Sequence, residues 1–361
     1  MKTWDVIVVG GGIVGLSLAL SLRRHGAQVL IVERGEPGRE ASWAAAGMLA
    51  ELDPHLPEVL RPLAVASSRP LAVASSRLYP EFVHELQDES GEHIDLREHG
   101  TLFFPESNAS MGAIASSVAD TAKLKELEPC LSYTGVAMLL RERSFDPRTL
   151  MAAALKAAKH RQIEIAAGSP AVELLAKGKT VQGVRTEKTS FRAPVVVNCA
   201  GAWAADLRPG AVPTIPVKGQ MLALIAPRRE MLRHVVRAPE VYLVPHSDGR
   251  ILAGSTLEHV GFDKRVTPDT IQLLHQRASD MVPELGQARM LEAWAGLRPG
   301  TPDELPILGA GEFDGYFVAA GHYRDGILLA PVTAALMTQL VRGESPQFDV
   351  LPFSPARFRR P

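Results

Sequence analysis

Residues 5–33 constrain the fold of this chain more than any other stretch of it. An apolar strand pattern enters a turn with the spacing G-x-G-x-x-G, whose glycines are Gly10, Gly12 and Gly15. An apolar-faced helical pattern follows, and a second strand pattern ends at Glu33. Strand, glycine turn, helix, strand and acid in this order predict a βαβ unit that binds a dinucleotide.

Each part of this unit has a physical role at a pyrophosphate. The first glycine permits the tight turn, the second lets the backbone approach the phosphates, and the third lets the helix pack closely on the sheet. The helix N-terminus adds free N–H groups and partial positive charge, and Glu33 can accept hydrogen bonds from a ribose diol. The pattern suits FAD and NAD equally, and a purely structural glycine turn is the alternative interpretation.

Length and composition are those of an ordinary globular protein. The 361 residues favour two domains, and 39 basic against 40 acidic residues argue against a nucleic-acid or membrane partner. Cys130 and Cys199 have neither metal-ligand spacing nor a disulfide pattern, so we expect no metal site and a reducing, cytoplasmic location. The N-terminal apolar residues resemble a secretory signal, but the glycines interrupt them and cleavage would destroy the glycine motif.

The order of strand and helix patterns predicts an α/β fold in which insertions interrupt the nucleotide domain. Asp146 followed by Pro147 predicts the start of a helix near the point where this domain resumes. A ligand crevice is expected where the nucleotide domain meets a strand-rich α+β substrate domain. The predicted boundaries are residues 1–75, 146–212 and 302–361 for the nucleotide domain, and residues 76–145 and 213–301 for the substrate domain.

An exact tandem repeat lies within residues 57–90, a segment predicted to be largely helical. The octapeptide Arg-Pro-Leu-Ala-Val-Ala-Ser-Ser of residues 61–68 recurs unchanged at residues 69–76. Because a helix interior tolerates proline poorly, we expect a break or bulge at Pro70. Two copies are too few for a solenoid. We therefore expect a duplication tolerated at the surface, whose deletion leaves activity intact; an added contact surface is the alternative.

Two segments of the C-terminal third carry candidate binding groups. Arg298 lies among small residues in a strand-like run, residues 294–301, and its planar guanidinium suits a carboxylate. Tyr242 can donate to the same anion, although either side chain could instead be structural. The run Gly-His-Tyr-Arg-Asp-Gly at residues 321–326 precedes the last helix. That helix N-terminus would stabilise the negative charge of a reduced flavin, and Arg324 would add a full charge.

Together these motifs resemble the D-amino-acid oxidase superfamily of FAD enzymes, and within it the glycine oxidase group. The resemblance rests on the glycine motif with Glu33, on Ala44-Ala-Ala-Gly-Met48, on Trp294–Thr301 and on Gly321–Pro331. It spans nearly the whole chain and implies a Rossmann-like FAD-binding domain of the glutathione-reductase type. It also implies a noncovalent FAD, because the branch with a covalent flavin uses a C-terminal cysteine, and this chain has none after Cys199.

The resemblance implies roles for individual residues. Arg298 and Tyr242 match the pair that holds the substrate carboxylate, and Arg324 is the third candidate catalytic residue. The residues implied to bind FAD are Gly10, Gly12, Val14, Gly15, Glu33, Arg34, Ser42, Ala45, Gly47, Met48, Ala171, Gly201, His322, Arg324, Asp325, Gly326, Ile327 and Leu328.

The implied reaction is oxidation of a small amino acid, with dioxygen as acceptor and hydrogen peroxide as product, serving thiazole synthesis for thiamine in a homo-oligomer. The chain has Glu240 where the family can carry histidine, Leu257 in place of a methionine and Asp325 in place of an asparagine. The first two departures leave open the ranking of glycine, sarcosine and small D-amino acids, whereas Asp325 would add negative charge near the flavin and shift its potential. The alternatives are a quinone-reducing dehydrogenase of D-amino acids or 2-hydroxy acids, an NAD-dependent dehydrogenase, and a noncatalytic nucleotide-binding module.

Overall fold

A computed structural model describes residues 3–51, 61–105, 117–133 and 136–359, and the elements below belong to these ranges. The glycine motif follows the first strand of a six-stranded sheet. Neighbouring strands are parallel, except that the edge strand β18 is antiparallel to β19. In spatial order the strands are β18 (Ile307–Ala310), β19 (Tyr316–Ala320), β12 (Val195–Asn198), β1 (Val6–Val9), β2 (Val29–Val32) and β8 (Glu164–Ala166).

This nucleotide sheet is covered by helices on one face and by a small antiparallel sheet on the other. Val6 and Val8 of β1 pack into the helical core, whereas Ile7 and Val9 face the small sheet, as the two-residue period of a strand requires. The helices are α1 (Ile13–Arg24), α3 (Arg61–Ser90), α5 (Pro147–His160) and α7 (Gly326–Val341). The small sheet contains β9 (Ala171–Lys177), β10 (Thr180–Thr186) and β11 (Ser190–Arg192).

A second large sheet has eight strands in the described ranges. Its order is β17 (Arg289–Gly300), β13 (Ile215–Ile225), β16 (Arg250–Gly254), β15 (Tyr242–Pro245), β14 (Val235–Arg237), β4 (Thr101–Phe103), β6 (Ala137–Leu140) and β5 (Ser117–Ala119). Helices α4 (Thr121–Leu127) and α6 (Pro268–Met281) share its apolar core. The short helix α2 (Ala41–Ala44) and the pair β3 (Met48–Leu49) and β7 (Arg143–Ser144) complete the layers, with 3-10 turns at Gly201–Asp206, Pro283–Gln287, Leu351–Phe353 and Pro355–Phe358.

The α/β fold class and most predicted elements are confirmed. The Asp146 carboxylate accepts a hydrogen bond from the Arg148 amide at 2.8 Å, and Pro147 is the first residue of α5, as the capping signals predict. The nucleotide sheet takes its strands from three separated stretches of chain, while the residue boundaries of the two domains remain a prediction. Among the described residues, no helix combines the length and apolar character that crossing a membrane requires.

The expected break at Pro70 is wrong. Helix α3 runs from Arg61 to Ser90 with Pro70 and Pro80 inside it. An internal proline costs a helix about 3 kcal/mol. Burial of each large apolar side chain returns about 1.5–3 kcal/mol, and α3 buries Leu71 and Tyr79 against its neighbours. Tertiary packing therefore outweighs the local preference of proline.

The expected surface position is also wrong for the second copy of the repeat. Leu71, Ala72, Ser75 and Ser76 are all buried, and this part of α3 packs against α7 and α5. The second copy is therefore part of the core that supports the nucleotide sheet.

Candidate active site

A cavity of about 830 Å³ is lined by residues from both large sheets, a size typical of cofactor sites. Two residues predicted to bind the cofactor do not line it. The first is Gly15: a Cβ there would lie 2.1 Å from the Gly10 carbonyl oxygen, so this glycine serves the packing of α1. The second is Leu328, which is buried in the helical core. The other predicted residues line it: Gly10, Gly12, Val14, Glu33, Arg34, Ser42, Ala45, Gly47, Met48, Ala171, Gly201, Tyr242, Arg298, His322, Arg324, Asp325, Gly326 and Ile327.

The glycine turn leaves the N-terminus of α1 open to the cavity. Gly10 has a φ of +111°, and a Cβ there would lie 2.4 Å from the Cys199 carbonyl oxygen, so glycine is required at this position. Gly12 caps α1 without a side chain, and the Ser42 hydroxyl accepts a hydrogen bond from the Ile13 amide at 3.0 Å. Amides at a helix N-terminus and the helix dipole suit a pyrophosphate.

Glu33 lies directly after β2 and is buried beside the glycine turn. Its two carboxylate oxygens accept hydrogen bonds from the Gly11 amide at 2.7 Å and the Gly35 amide at 2.8 Å. A carboxylate oxygen can accept more than one hydrogen bond, so the same group can also bind a ribose diol. With Ala171 lining the same cavity, the residues present fit the adenosine half of FAD.

An aromatic stack beside this region was missed by the sequence analysis. The Arg34 guanidinium lies 4.0 Å from the centre of the Trp203 ring, and Trp203 stacks on Phe262 at 5.3 Å between ring centres. Phe262 lies in the loop after β16, and Lys264 of that loop forms an ion pair with Glu40 at 2.9 Å. These contacts join the loop of the second sheet to the nucleotide-binding segment.

The segment around Gly47 is fixed from two sides. Gly47 has a φ of +84°, and a Cβ on it would lie 1.8 Å from the Phe145 carbonyl oxygen. On the other side, the Trp294 indole donates a hydrogen bond to the Ala44 carbonyl at 3.1 Å. Small residues are therefore needed here because the backbone passes between β17 and the chain leading into α5.

His322 lies just before α7 and is a neutral, buried side chain. Burial lowers its pKa to about 4, and its Nε2 lies 3.1 Å from the Thr333 hydroxyl. Asp325 is the N-cap position of α7, and Arg324 is exposed at the cavity. This loop thus presents the Arg324 guanidinium, the acidic side chain of Asp325 and the positive end of a helix dipole to the cavity.

Arg298 reaches across β13 to the segment after β16. Its Nη2 donates to the Ser255 hydroxyl at 2.5 Å, and its Nη1 donates to the Thr256 carbonyl at 3.2 Å. This path crosses Gly219, where a Cβ would lie 2.4–2.6 Å from the guanidinium. Two of the five guanidinium N–H donors are used in these bonds, so the group keeps donors for a carboxylate in the cavity. Gly219, Ser255 and Thr256 carry no local sequence signal for this role.

The Ser255–Thr256 segment is itself held by a polar network on β13. The Gln220 side-chain amide donates to Glu258 at 2.8 Å and accepts from the Thr267 amide at 2.8 Å. The Glu258 carboxylate also accepts from the Thr256 hydroxyl at 2.5 Å and pairs with the buried Lys218 at 3.3 Å. Desolvation opposes ionisation of Glu258, but these hydrogen bonds lower its pKa. The network keeps the two partners of the arginine in place.

Tyr242 lies opposite Gly254 in the neighbouring strand. Its hydroxyl contacts the Met221 sulfur at 3.4 Å, and a Cβ on Gly254 would lie 2.9 Å from it. Of the positions that depart from the family pattern, Glu240 pairs with Arg277 at 3.1 Å and Leu257 is half exposed. Both line the cavity.

A Rossmann-like sheet, an acid suited to a ribose and a cationic site in the same cavity define a dinucleotide-dependent oxidoreductase. Residues 5–340 match the family described as DAO, FAD dependent oxidoreductase. The chain belongs to this family, and its cofactor is FAD. The predicted family, fold class and cofactor are confirmed, and the open choice between FAD and NAD at the glycine motif is decided in favour of FAD.

Individual relatives are similar over nearly the whole chain. The glycine oxidase of Pseudomonas aeruginosa is 34% identical over 374 residues, which cover 97% of this chain and 98% of that protein. The bifunctional protein ThiO/ThiG of Synechocystis is 36% identical over 99% of this chain, which spans only 54% of that relative. The crystal structure of glycine oxidase from Geobacillus kaustophilus superposes with a TM-score of 0.89 at 32% identity and covers 100% of both chains.

Proposed function

We propose that this FAD-dependent oxidoreductase oxidises glycine and related small amines, such as sarcosine and small D-amino acids, with dioxygen as acceptor. The observation that carries the proposal is the presence of Arg298 and Tyr242 in the same cavity as the glycine turn. Similarity to two glycine oxidases supports this substrate class. Similarity to a ThiO/ThiG protein supports delivery of the imino product to thiazole synthesis for thiamine.

In this proposal the protein contributes mainly binding and orientation. The glycine turn, Glu33 and the loop before α7 would hold FAD, which would supply the two-electron oxidation of the amino acid, with dioxygen as final acceptor and hydrogen peroxide as product. Arg298 binds the substrate carboxylate through the N–H groups that do not bond to Ser255 and Thr256. The Tyr242 hydroxyl donates a hydrogen bond to the same carboxylate. Two fixed donors on one end of a small substrate orient its α-carbon, and orientation alone can supply a large rate factor.

Positive charge around the cavity supports both anions of the reaction. Arg298 meets the carboxylate, while Arg324 and the N-terminus of α7 would stabilise negative charge on a bound flavin, and Asp325 at the same N-terminus would oppose this. His322 stays neutral at working pH because burial lowers its pKa to about 4, so it adds no charge. In this assignment the glycine turn and Glu33 serve the pyrophosphate and the adenosine ribose, and the segment from Ser42 to Met48 runs along the flavin half.

The decisive variant is Arg298→Ala. Loss of charge-assisted hydrogen bonds worth about 1.5–3 kcal/mol each is expected to raise the KM for glycine by about 100-fold, while the FAD-to-protein ratio stays at the wild-type value. Arg185→Ala is the matched control, because Arg185 pairs with Glu173 on the small sheet and lies outside the cavity lining. A wild-type KM in Arg298→Ala would show that this arginine does not bind the carboxylate.

The electron acceptor is tested on the purified, FAD-loaded protein in air. Glycine, sarcosine, D-alanine, D-proline and 2-hydroxy acids are compared for peroxide release, and the same substrates are compared for reduction of a quinone. Peroxide with glycine supports the oxidase. Quinone reduction without peroxide supports the alternative dehydrogenase, and inertness toward every substrate supports a noncatalytic module. A cytoplasmic location and a homo-oligomer belong to the same proposal, and light scattering on the purified protein tests the latter.

A further inference from the structure

Helix α7 contains a proline close to its cavity-facing end. Pro331 is the sixth residue of the helix, which begins at Gly326. Because proline has no N–H, the Ile327 carbonyl four residues earlier cannot receive its usual helical hydrogen bond. A buried carbonyl without a donor is costly, so a partner from elsewhere in the fold is required.

That partner is the Tyr79 hydroxyl on α3. It donates to the Ile327 carbonyl oxygen at 2.5 Å across 248 residues of sequence. Tyr79 is fully buried, and burial raises the pKa of its phenol well above the usual range. The hydroxyl therefore remains protonated and serves as the donor that Pro331 lacks.

A second hydroxyl of α3 is inserted between the carbonyl and the amide that would form the next helical hydrogen bond of α7. Ser75 Oγ donates to the Leu328 carbonyl at 2.6 Å and accepts from the Val332 amide at 3.3 Å. Leu328 and Val332 are the pair that a regular helix joins directly. Ser75 and Tyr79 are four residues apart and so lie on one face of α3. Two neighbouring hydroxyls thus support two consecutive carbonyls of the first turns of α7.

These carbonyls belong to the turn that faces the cavity. Gly326 and Ile327 line it, and in the proposed function this turn meets the flavin ring. We infer that Tyr79 and Ser75 are positioning residues, which hold the first turn of α7 and thereby set both the affinity for FAD and its reduction potential. The inference rests on the proposed placement of the flavin ring and needs no particular substrate.

The physical link is the field of the helix N-terminus. Its free amides and dipole stabilise negative charge within about one turn, and the reduced flavin gains negative charge. Without the Tyr79 hydroxyl, the Ile327 carbonyl is left unpaired, and the turn shifts to find another donor. A displaced turn stabilises the reduced flavin less, so the potential becomes more negative.

The test compares Tyr79→Phe with Tyr316→Phe. Phenylalanine at position 79 keeps the ring contacts with Phe82 and Phe145 and removes only the hydroxyl. Tyr316 is an equally buried tyrosine whose hydroxyl donates to the Gly210 carbonyl at 2.8 Å, away from α7. Tyr316→Phe loses this bond and also the one that its hydroxyl accepts from the Asn198 side-chain amide at 3.0 Å, so a purely structural effect would be at least as large in it as in Tyr79→Phe.

The measurements are the dissociation constant of FAD from reconstituted apoprotein and the midpoint potential of the bound flavin, both without amino acid. For Tyr79→Phe we expect FAD to bind about tenfold more weakly and the two-electron potential to fall by about 30 mV, the equivalent of a tenfold change. Tyr316→Phe should keep both wild-type values. Ser75→Ala should change the FAD affinity and the potential in the same direction as Tyr79→Phe. It serves as the test variant if Tyr79→Phe does not fold.

Equal values in Tyr79→Phe, Tyr316→Phe and the wild type would overturn the inference, as would equal shifts in the two variants. Because neither measurement uses glycine, a protein that binds FAD but does not oxidise glycine would still give a result. Failure of the proposed substrate and failure of the positioning role are therefore separate outcomes.

Discussion

The substitution Gly219→Ala tests whether the shape of β13 places the carboxylate-binding arginine. A Cβ at this position would lie 2.4 Å, 2.5 Å and 2.6 Å from Nη1, Nη2 and Cζ of Arg298, whereas ordinary contact begins at 3.4 Å. The guanidinium must therefore move by about 1 Å, away from the Ser255 hydroxyl and the Thr256 carbonyl. The φ of Gly219 is not positive, so alanine does not strain the backbone itself.

A displacement of about 1 Å at a positioning group can cost about 100-fold in rate. The loss of one or two charge-assisted hydrogen bonds of about 1.5–3 kcal/mol each gives a similar factor. We therefore expect kcat/KM for glycine to fall about 100-fold in Gly219→Ala, mostly through KM. Acetate is an unreactive carboxylate, and its affinity can be measured from the change that it causes in the absorption of the bound flavin. This affinity should fall in parallel, while the FAD content stays constant.

Two controls make the test specific. Gly286→Ala is the same substitution where the nearest atom to a new Cβ is the Ser279 hydroxyl at 3.6 Å, and it should leave KM unchanged. In the Arg298→Ala background, Gly219→Ala should have no further effect, because residues that act through one another are not additive. Wild-type acetate affinity in Gly219→Ala, or a full additional loss in the double variant, would refute the role assigned to Gly219.

Two more predictions concern the helical core. His322 has a pKa of about 4 in the folded protein against about 6.5 when unfolded, so the unfolded chain binds more protons between these values and stability falls as the pH drops through this window. At pH 5 the loss in the free energy of unfolding is about 2 kcal/mol. The free energy of unfolding of His322→Asn, measured with urea, should therefore fall by about 2 kcal/mol less than that of the wild type between pH 7 and pH 5. The same pH dependence in both proteins would contradict this. Deletion of residues 69–76 should leave FAD content and glycine oxidation unchanged, because the identical copy then directly precedes Arg77 and restores the spacing to Tyr79. Loss of FAD from the deletion variant would count against this prediction.

The parts of the fold that could be predicted are those whose signals are local. The unit β1–α1–β2 and the cap of α5 by Asp146 depend on residues within a few positions of each other. Pro70 shows the opposite case, since its local preference is overridden by burial of Leu71 and Tyr79. No window of sequence around Pro70 contains the residues of α7 on which that part of the helix packs.

The same distinction divides the candidate site. Glu33, Arg298 and the loop before α7 stand out because charged residues lie next to glycines or apolar runs. Gly219 and Ser255 have no such pattern. Ser255 is 43 residues from Arg298 in the sequence, and both residues come next to the arginine only when β13, β16 and β17 pair. Side chains that orient another side chain are therefore the part of this site that sequence alone leaves out.

The burial of both cysteines bears on how the enzyme would age during turnover. The proposed reaction releases hydrogen peroxide beside the protein, and peroxide attacks thiolates first. Burial raises the pKa of the Cys130 thiol to about 11 and raises that of Cys199 further still, so both remain in the less reactive thiol form. The thioethers of Met48 and Met221 line the cavity and need no deprotonation. Oxidative damage would then collect at methionine, as a sulfoxide that cellular reductases can reverse.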